Sequence, residues 1–299
     1  MTELKWMKGI LYEVAFWKAI YKRKASREWL LNDSKLNHEI QLHNFDAANF
    51  LREQKEANED APLVLDIGCG MSYFTGNLLD GKPINIQFID PLAHFYNDIL
   101  KHEKANAPAI TFGMMEYLSA FYPEKNVSLA IIQNALDHSE KPMKGIIEAL
   151  NVLKIGGVLY LKHYPDEAEK EQYRGFHQFN INIENGSYII WDKQKKLNIN
   201  DAVKGFATIE VSTYDNPAEV IAVIKKTAEV PAELLTPLED IRTLSNQLML
   251  HAKETHSLKN MAAYHFKKPV LNTGQFLLRY VDIDTKEKVK KLFHRVKKS

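Results

Sequence analysis

Between Pro62 and His163, short β-branched runs ("LVLDIG", "INIQFID", "AITFGM", "VSLAIIQN", "GVLYLKH") alternate with helically spaced segments such as "SYFTGNLLDG" and "MKGIIEALNVLK". A hairpin needs only a tight turn, whereas a crossover long enough for a helix joins parallel strands, so this alternation predicts a parallel sheet covered on both faces. "FATIEVSTY" and "EVIAVIKKT" add two more strands, which makes seven. The expected fold class is α/β, a mostly parallel, doubly wound sheet.

Around that sheet the pattern is helical. Trp6, Ile10, Leu11, Val14, Trp17, Ile20 and Tyr21 recur at helical spacing, which predicts an N-terminal helical segment over residues 1–60. The sheet domain is expected over 61–228, with an insertion at about 164–205 that includes the hairpin "SYIIWDKQKKLNIN", and a helical extension over 229–299. The tail "TKEKVKKLFHRVKKS" gathers Val289, Leu292, Phe293 and Val296 on one face of a basic helix. Such a helix lies on an anionic membrane surface or, more often, packs its stripe on its own domain. Lys and Arg (39) nearly balance Asp and Glu (38), so no global basic field calls for nucleic acid. Cys69 is the sole cysteine, which excludes an intrachain disulfide or a cysteine zinc cluster, and no apolar run spans a bilayer. A cytoplasmic location follows, with peripheral contact to the inner face of the membrane if the tail binds it.

"VLDIGCGMSYFTGNLL" (64–79) is the stretch from which a ligand is read. Gly68 and Gly70 after a strand let backbone approach a ligand closely, and a helix expected from about Ser72 would aim its positive end into the same space. Asp90 ends the next strand, where an acid accepts hydrogen bonds from ribose hydroxyls. Tyr73 stands where a dinucleotide fingerprint needs its third glycine, and Asp66 would repel a diphosphate but attract an ammonium group. Adenosine joined to a cationic amino acid meets both conditions.

On these residues the segment from Ala61 to Lys226 resembles the class I S-adenosylmethionine (SAM)-dependent methyltransferases, whose sheet is Rossmann-like. The resemblance implies SAM as cofactor. It places the loop of Asp66, Gly68, Cys69 and Gly70 by the methionine part and Asp90 at the ribose. "TFGMMEYL" puts Met115 and Glu116 by the adenine, although Met114 departs from the acid common there. "IIQNALDHSEKP" puts Gln133 and Asn134 under the cofactor, with Asp137 and His138 on the substrate side, and "LKIGGVLYL" resembles the glycine turn into the fifth strand.

Methyl transfer from a sulfonium needs alignment of the acceptor and removal of its proton, and demands no metal. His138, His163 and His177 are the candidate bases, since all three fall in segments expected at the carboxyl edge of the sheet. A metal site from His138, His163 and Asp137 is conceivable but its spacing is not diagnostic, so none is expected. "EQYRGFHQFNINIENG" holds His177 with Tyr173, Phe176 and Phe179 as apolar faces and Arg174, Gln178 and Asn180 as hydrogen-bonding groups. With "EVAFWKAIY" it resembles methyltransferases of bacterial surface-polysaccharide biosynthesis. The expected function is O-methylation of a sugar or glycan-like acceptor by in-line transfer with a histidine general base, the partner being a small-molecule or glycan acceptor. The alternatives are methylation of a small metabolite, protein or RNA, and a catalytically silent SAM-binding or scaffold protein.

Overall fold

The structure, a computed structural model, describes residues 13–14, 16–32, 37–57, 61–173 and 176–235. The basic tail and most of the expected C-terminal extension lie outside the described residues. Ahead of the sheet come a helical stretch at 16–22, α1 (Lys24–Leu30) and α2 (Ala47–Ala57). The main strands are β1 (Leu63–Ile67), β2 (Ile86–Asp90), β3 (Ile110–Phe112), β4 (Val127–Gln133) and β5 (Leu153–His163). Between them run α3 (Ala93–His102), after β2, and α4 (Pro142–Val152), after β4. An inserted three-stranded antiparallel sheet follows, β6 (Asn180–Glu184), β7 (Ser187–Trp191) and β8 (Lys196–Asn198), flanked by the short helices α5 (Glu167–Lys170) and α6 (Ile199–Ala202). Finally β9 (Ala207–Asp215) and β10 (Ala218–Lys226) return to the main sheet.

The seven strands run in the order β9-β10-β5-β4-β1-β2-β3. Strands β1 to β5 pair in parallel, and β10 is antiparallel to both β5 and β9. Alternation along the strands divides the core. Leu65, Ile67, Ala130, Ile132, Leu159 and Leu161 pack with α4 on one face, while Val64, Leu129, Ile131, Val158 and Tyr160 pack with Leu51 of α2 on the other. This two-sided burial is why the central strands read as continuous apolar runs.

One expectation fails. No helix follows the glycine loop: residues 68–77 are turns, and Leu78–Leu79 pair with Lys82–Pro83 in a short hairpin. The backbone there bonds elsewhere, since the amides of Asn77 and Leu78 donate to the His38 carbonyl and that of Gln41 donates to the Thr75 carbonyl. Tyr73 and Gly76 are left-handed (φ 48° and 84°), and a Cβ on Gly76 would lie 2.5 Å from the Glu39 carbonyl oxygen. The 38–41 segment thus occupies the hydrogen-bonding groups that a helix would use.

Candidate active site

A cavity of about 500 Å³ opens at the carboxyl ends of β1, β2 and β4. The glycine loop forms its floor. Gly68 is left-handed (φ 71°), and a Cβ there would come within 2.4 Å of the Ala135 Cβ in the turn after β4. The amides of Gly68 and Cys69 donate to the Ile89 carbonyl, and that of Gly70 donates to Asp90 Oδ2 at 3.1 Å. The loop therefore offers closeness to a ligand, its amides being spent on the adjoining strand. Asp90 Oδ1 accepts from the Leu92 amide (2.8 Å), and burial pushes this carboxyl up to about 7. Asp66 accepts from the Thr75 hydroxyl at 2.6 Å, and Gln133 donates to that same hydroxyl at 2.9 Å. Burial raises Asp66 to about 6. The thiol of Cys69 is raised well above its usual value by burial, then by Asp90 and Asp66, which keeps it a neutral loop filler. Trp17 lies against Gly70, its ring 3.1 Å from where a Cβ would sit, and donates to Glu13.

His138 and His177, which line the cavity, converge with Asp137. Asp137 is buried, and its Oδ2 accepts from His177 Nδ1 at 2.8 Å. His138 Nε2 lies 3.1 Å from His177 Nδ1 and 3.4 Å from Asp137 Oδ2. Burial works to raise Asp137, yet His138, His177 and His163 outweigh it and hold the carboxyl below the usual range. Burial likewise works to lower His177, but the hydrogen bond and charge of Asp137 leave it raised. The loop carrying His177 is tied to this cluster by the Gln178 amide, which donates to the Asp137 carbonyl (3.3 Å).

Residues 65–161 match the protein family described as a methyltransferase domain. Over these residues the chain carries a methyltransferase domain. No curated protein matches the chain in sequence. Solved structures similar to it include a SAM-dependent methyltransferase from Clostridium acetobutylicum (13% identity, covering 60% of this chain and 91% of that one, TM-score 0.37). Two others are the 1,6-didemethyltoxoflavin-N1-methyltransferase of Burkholderia thailandensis (12%, 73% and 88%, 0.38) and the CMeT domain of the citrinin polyketide synthase (14%, 70% and 59%, 0.42).

The cavity brings together the expected cofactor residues and two of the three candidate bases. Asp66, Gly68, Cys69, Gly70, Asp90, Met115, Glu116, Gln133, Asn134, His138 and His177 all line it, and His163 does not. His163 is buried at the end of β5. Its Nε2 accepts from the Leu136 amide (3.2 Å), its Nδ1 contacts the Tyr188 hydroxyl (2.8 Å), and burial lowers it to about 4. With both ring nitrogens engaged, His163 braces the turn after β4 and is not placed to take a proton from a ligand. Glu116 Oε1 accepts the Glu140 and Lys141 amides, so this carboxylate caps the start of α4, while Asn134 Oδ1 accepts the Tyr164 amide. Among the described residues of the polar loop, Glu171, Phe176 and His177 reach the cavity. Phe179 joins the core, Gln178 donates to the Tyr173 carbonyl, and Asn180 donates to the Tyr173 hydroxyl, so these side chains hold the loop instead of facing an acceptor. Arg174 lies outside the described residues. Sequence reasoning missed Trp17, Tyr164, Glu167 and Glu171, which line the cavity, and Thr75, whose hydroxyl holds Asp66. Thr75 sat inside the expected helix, and the rest carry no pattern that separates a cavity wall from a solvated surface.

Proposed function

We propose that this enzyme methylates a hydroxyl of a sugar or glycan-like acceptor, with His177 as the general base. The observation that carries the reading is the buried Asp137 carboxylate 2.8 Å from His177 Nδ1 on the cavity wall. A carboxylate accepting from Nδ1–H fixes the tautomer in which Nε2 has a free lone pair, the form able to take a hydroxyl proton. Bound SAM supplies the methyl group by in-line displacement at its sulfonium. Its ammonium group is assigned to Asp66, its ribose to Asp90 and its adenine to the wall with Met115, each of which lines the cavity. Glu13, Glu167 and Glu171 can accept from sugar hydroxyls, and Phe176 and Tyr164 offer ring faces to the carbons between them. The same carboxylates disfavour an RNA backbone, whose phosphates they repel. Cytoplasmic polysaccharide biosynthesis is the setting this reading implies.

Labelled SAM incubated with nucleotide sugars, oligosaccharides, amines and RNA tests the acceptor. Label confined to RNA or to amines would overturn it. The His177→Gln enzyme is expected to lose turnover by about 100-fold, the usual contribution of general-base catalysis, with SAM affinity retained. Unchanged turnover would remove His177 as the base.

A further inference from the structure

We propose that Asp137, His138 and His177 form a binding site for one divalent transition-metal ion of the zinc class. Three potential ligand atoms, Asp137 Oδ2, His138 Nε2 and His177 Nδ1, face one another at 2.8, 3.1 and 3.4 Å. Around a single ion with bonds of roughly 2.0–2.2 Å, ligands at tetrahedral or octahedral angles stand roughly 2.8–3.6 Å apart. Hydrogen bonds alone serve the cluster poorly. One proton on His177 Nδ1 can donate to Asp137 or be shared with His138, and if His138 is to donate to Nδ1, the bond to Asp137 is lost. A second observation is independent of these distances. Asp137 is 2% exposed, and its other oxygen, Oδ1, has no hydrogen-bond partner among the described residues. A buried carboxylate with one orphaned oxygen and two imidazoles against the other is what an ion would complete, and bidentate attachment would use Oδ1 as well. Two imidazoles with one carboxylate select a borderline ion such as Zn²⁺ over Mg²⁺, which prefers oxygen alone. The cavity side of the cluster leaves further positions open to water or to an acceptor oxygen.

An ion on His177 Nδ1 leaves the ring proton on Nε2. Metal loading and the base role proposed for His177 therefore exclude one another. The site itself rests only on the placement of three side chains. The test uses the full chain stripped with chelator, then titrated with Zn²⁺ and followed by calorimetry and elemental analysis. S-adenosylhomocysteine affinity is measured on each sample as a report on the folded cofactor site. About one equivalent of zinc is expected to bind, and His138→Gln and Asp137→Asn should each weaken it at least tenfold, the scale on which even outer-shell partners act, with the product affinity unchanged. Co²⁺ bound to the wild-type chain should show visible bands that are lost in His138→Gln. No stoichiometric binding, or binding that survives both substitutions, overturns the site. If Asp137→Asn fails to fold, the half-exposed His138 and the cobalt spectrum decide. Loss of the acceptor reading in the labelling assay would leave zinc binding standing.

Discussion

Gly68 is where the cofactor site tolerates least change, and two distances say by how much. The residue is left-handed, a conformation that costs an alanine about 1–2 kcal/mol. Its added Cβ would sit 2.4 Å from the Ala135 Cβ, whereas carbon atoms rest at about 3.5–4.0 Å, so one backbone must yield by about 1 Å or more. Gly68 and Ala135 cap adjacent strands, and both line the cavity, so the displacement falls on the ligand site. Gly68→Ala is expected to weaken S-adenosylhomocysteine binding about 10- to 100-fold, which is about 1.4–2.8 kcal/mol. Gly81 supplies the control. It is also left-handed (φ 72°), but nothing lies within 4 Å of its would-be Cβ. Gly81→Ala should therefore show the conformational cost alone, a lower denaturation midpoint with unchanged affinity. Adding Ala135→Gly to Gly68→Ala removes the clash and should restore most of the binding. Calorimetric titration and urea melts on the four proteins decide it. Equal behaviour of Gly68→Ala and Gly81→Ala, or no rescue by Ala135→Gly, would refute the close-approach argument.

Asp66 and Asp90 are raised by burial to about 6 and about 7 from 3.8, so between about pH 4 and 7 the native state holds protons the unfolded chain has released. Stability from this source is full below about pH 4 and is lost as pH rises to 7. A cofactor whose ammonium and ribose favour the ionised carboxylates must release protons on binding near pH 6, measured by calorimetry in buffers of different ionisation enthalpy; zero release would sink these two assignments. Thr75→Val takes from Asp66 its hydroxyl donor at 2.6 Å, so Asp66 should move further up and SAM affinity at pH 7 should fall several-fold, about 1 kcal/mol, with urea midpoints separating this from unfolding. His163→Gln breaks contacts to Leu136 and Tyr188 and should lower stability by about 1–3 kcal/mol while sparing turnover per folded molecule; a kinetic loss as deep as that of His177→Gln would return His163 to the catalytic set.

The strands were readable because their burial is dictated by local pattern. Leu129, Ala130, Ile131 and Ile132 are all fully buried, and a run buried on both faces has no other way to look. The segment after the glycine loop was not readable, because what denies it a helix is long-range. "SYFTGNLLDG" has helical spacing, yet Thr75, Asn77 and Leu78 bond to residues 38–41, and that pairing leaves no mark in either segment alone. The N-terminal stretch was legible as helical at 16–30, but its contact with Gly70 through Trp17 depends on where the chain enters the fold.

Parity explains which histidines could be told apart. Residues 162 and 163 are neighbours on β5, so their side chains point to opposite faces. Lys162 lines the cavity; His163 must then turn inward, where it meets Tyr188 of the inserted sheet. Sequence fixes that the two diverge, but which of them faces the ligand depends on the register of β5 against β4, where Gln133 stands opposite Lys162. His177 is a different case. Nothing local directs it to the sheet edge, for it follows α5 in a loop whose return is set by the Gln178 amide on Asp137 and by Phe176 packing among Tyr96 and Met114. Asp137 and His138 were legible from the turn after β4, and the third member of their cluster arrives from 39 residues beyond His138. A cavity wall assembled from two such distant segments can change its acceptor by altering the loop of His177 alone, leaving the cofactor half of the site intact.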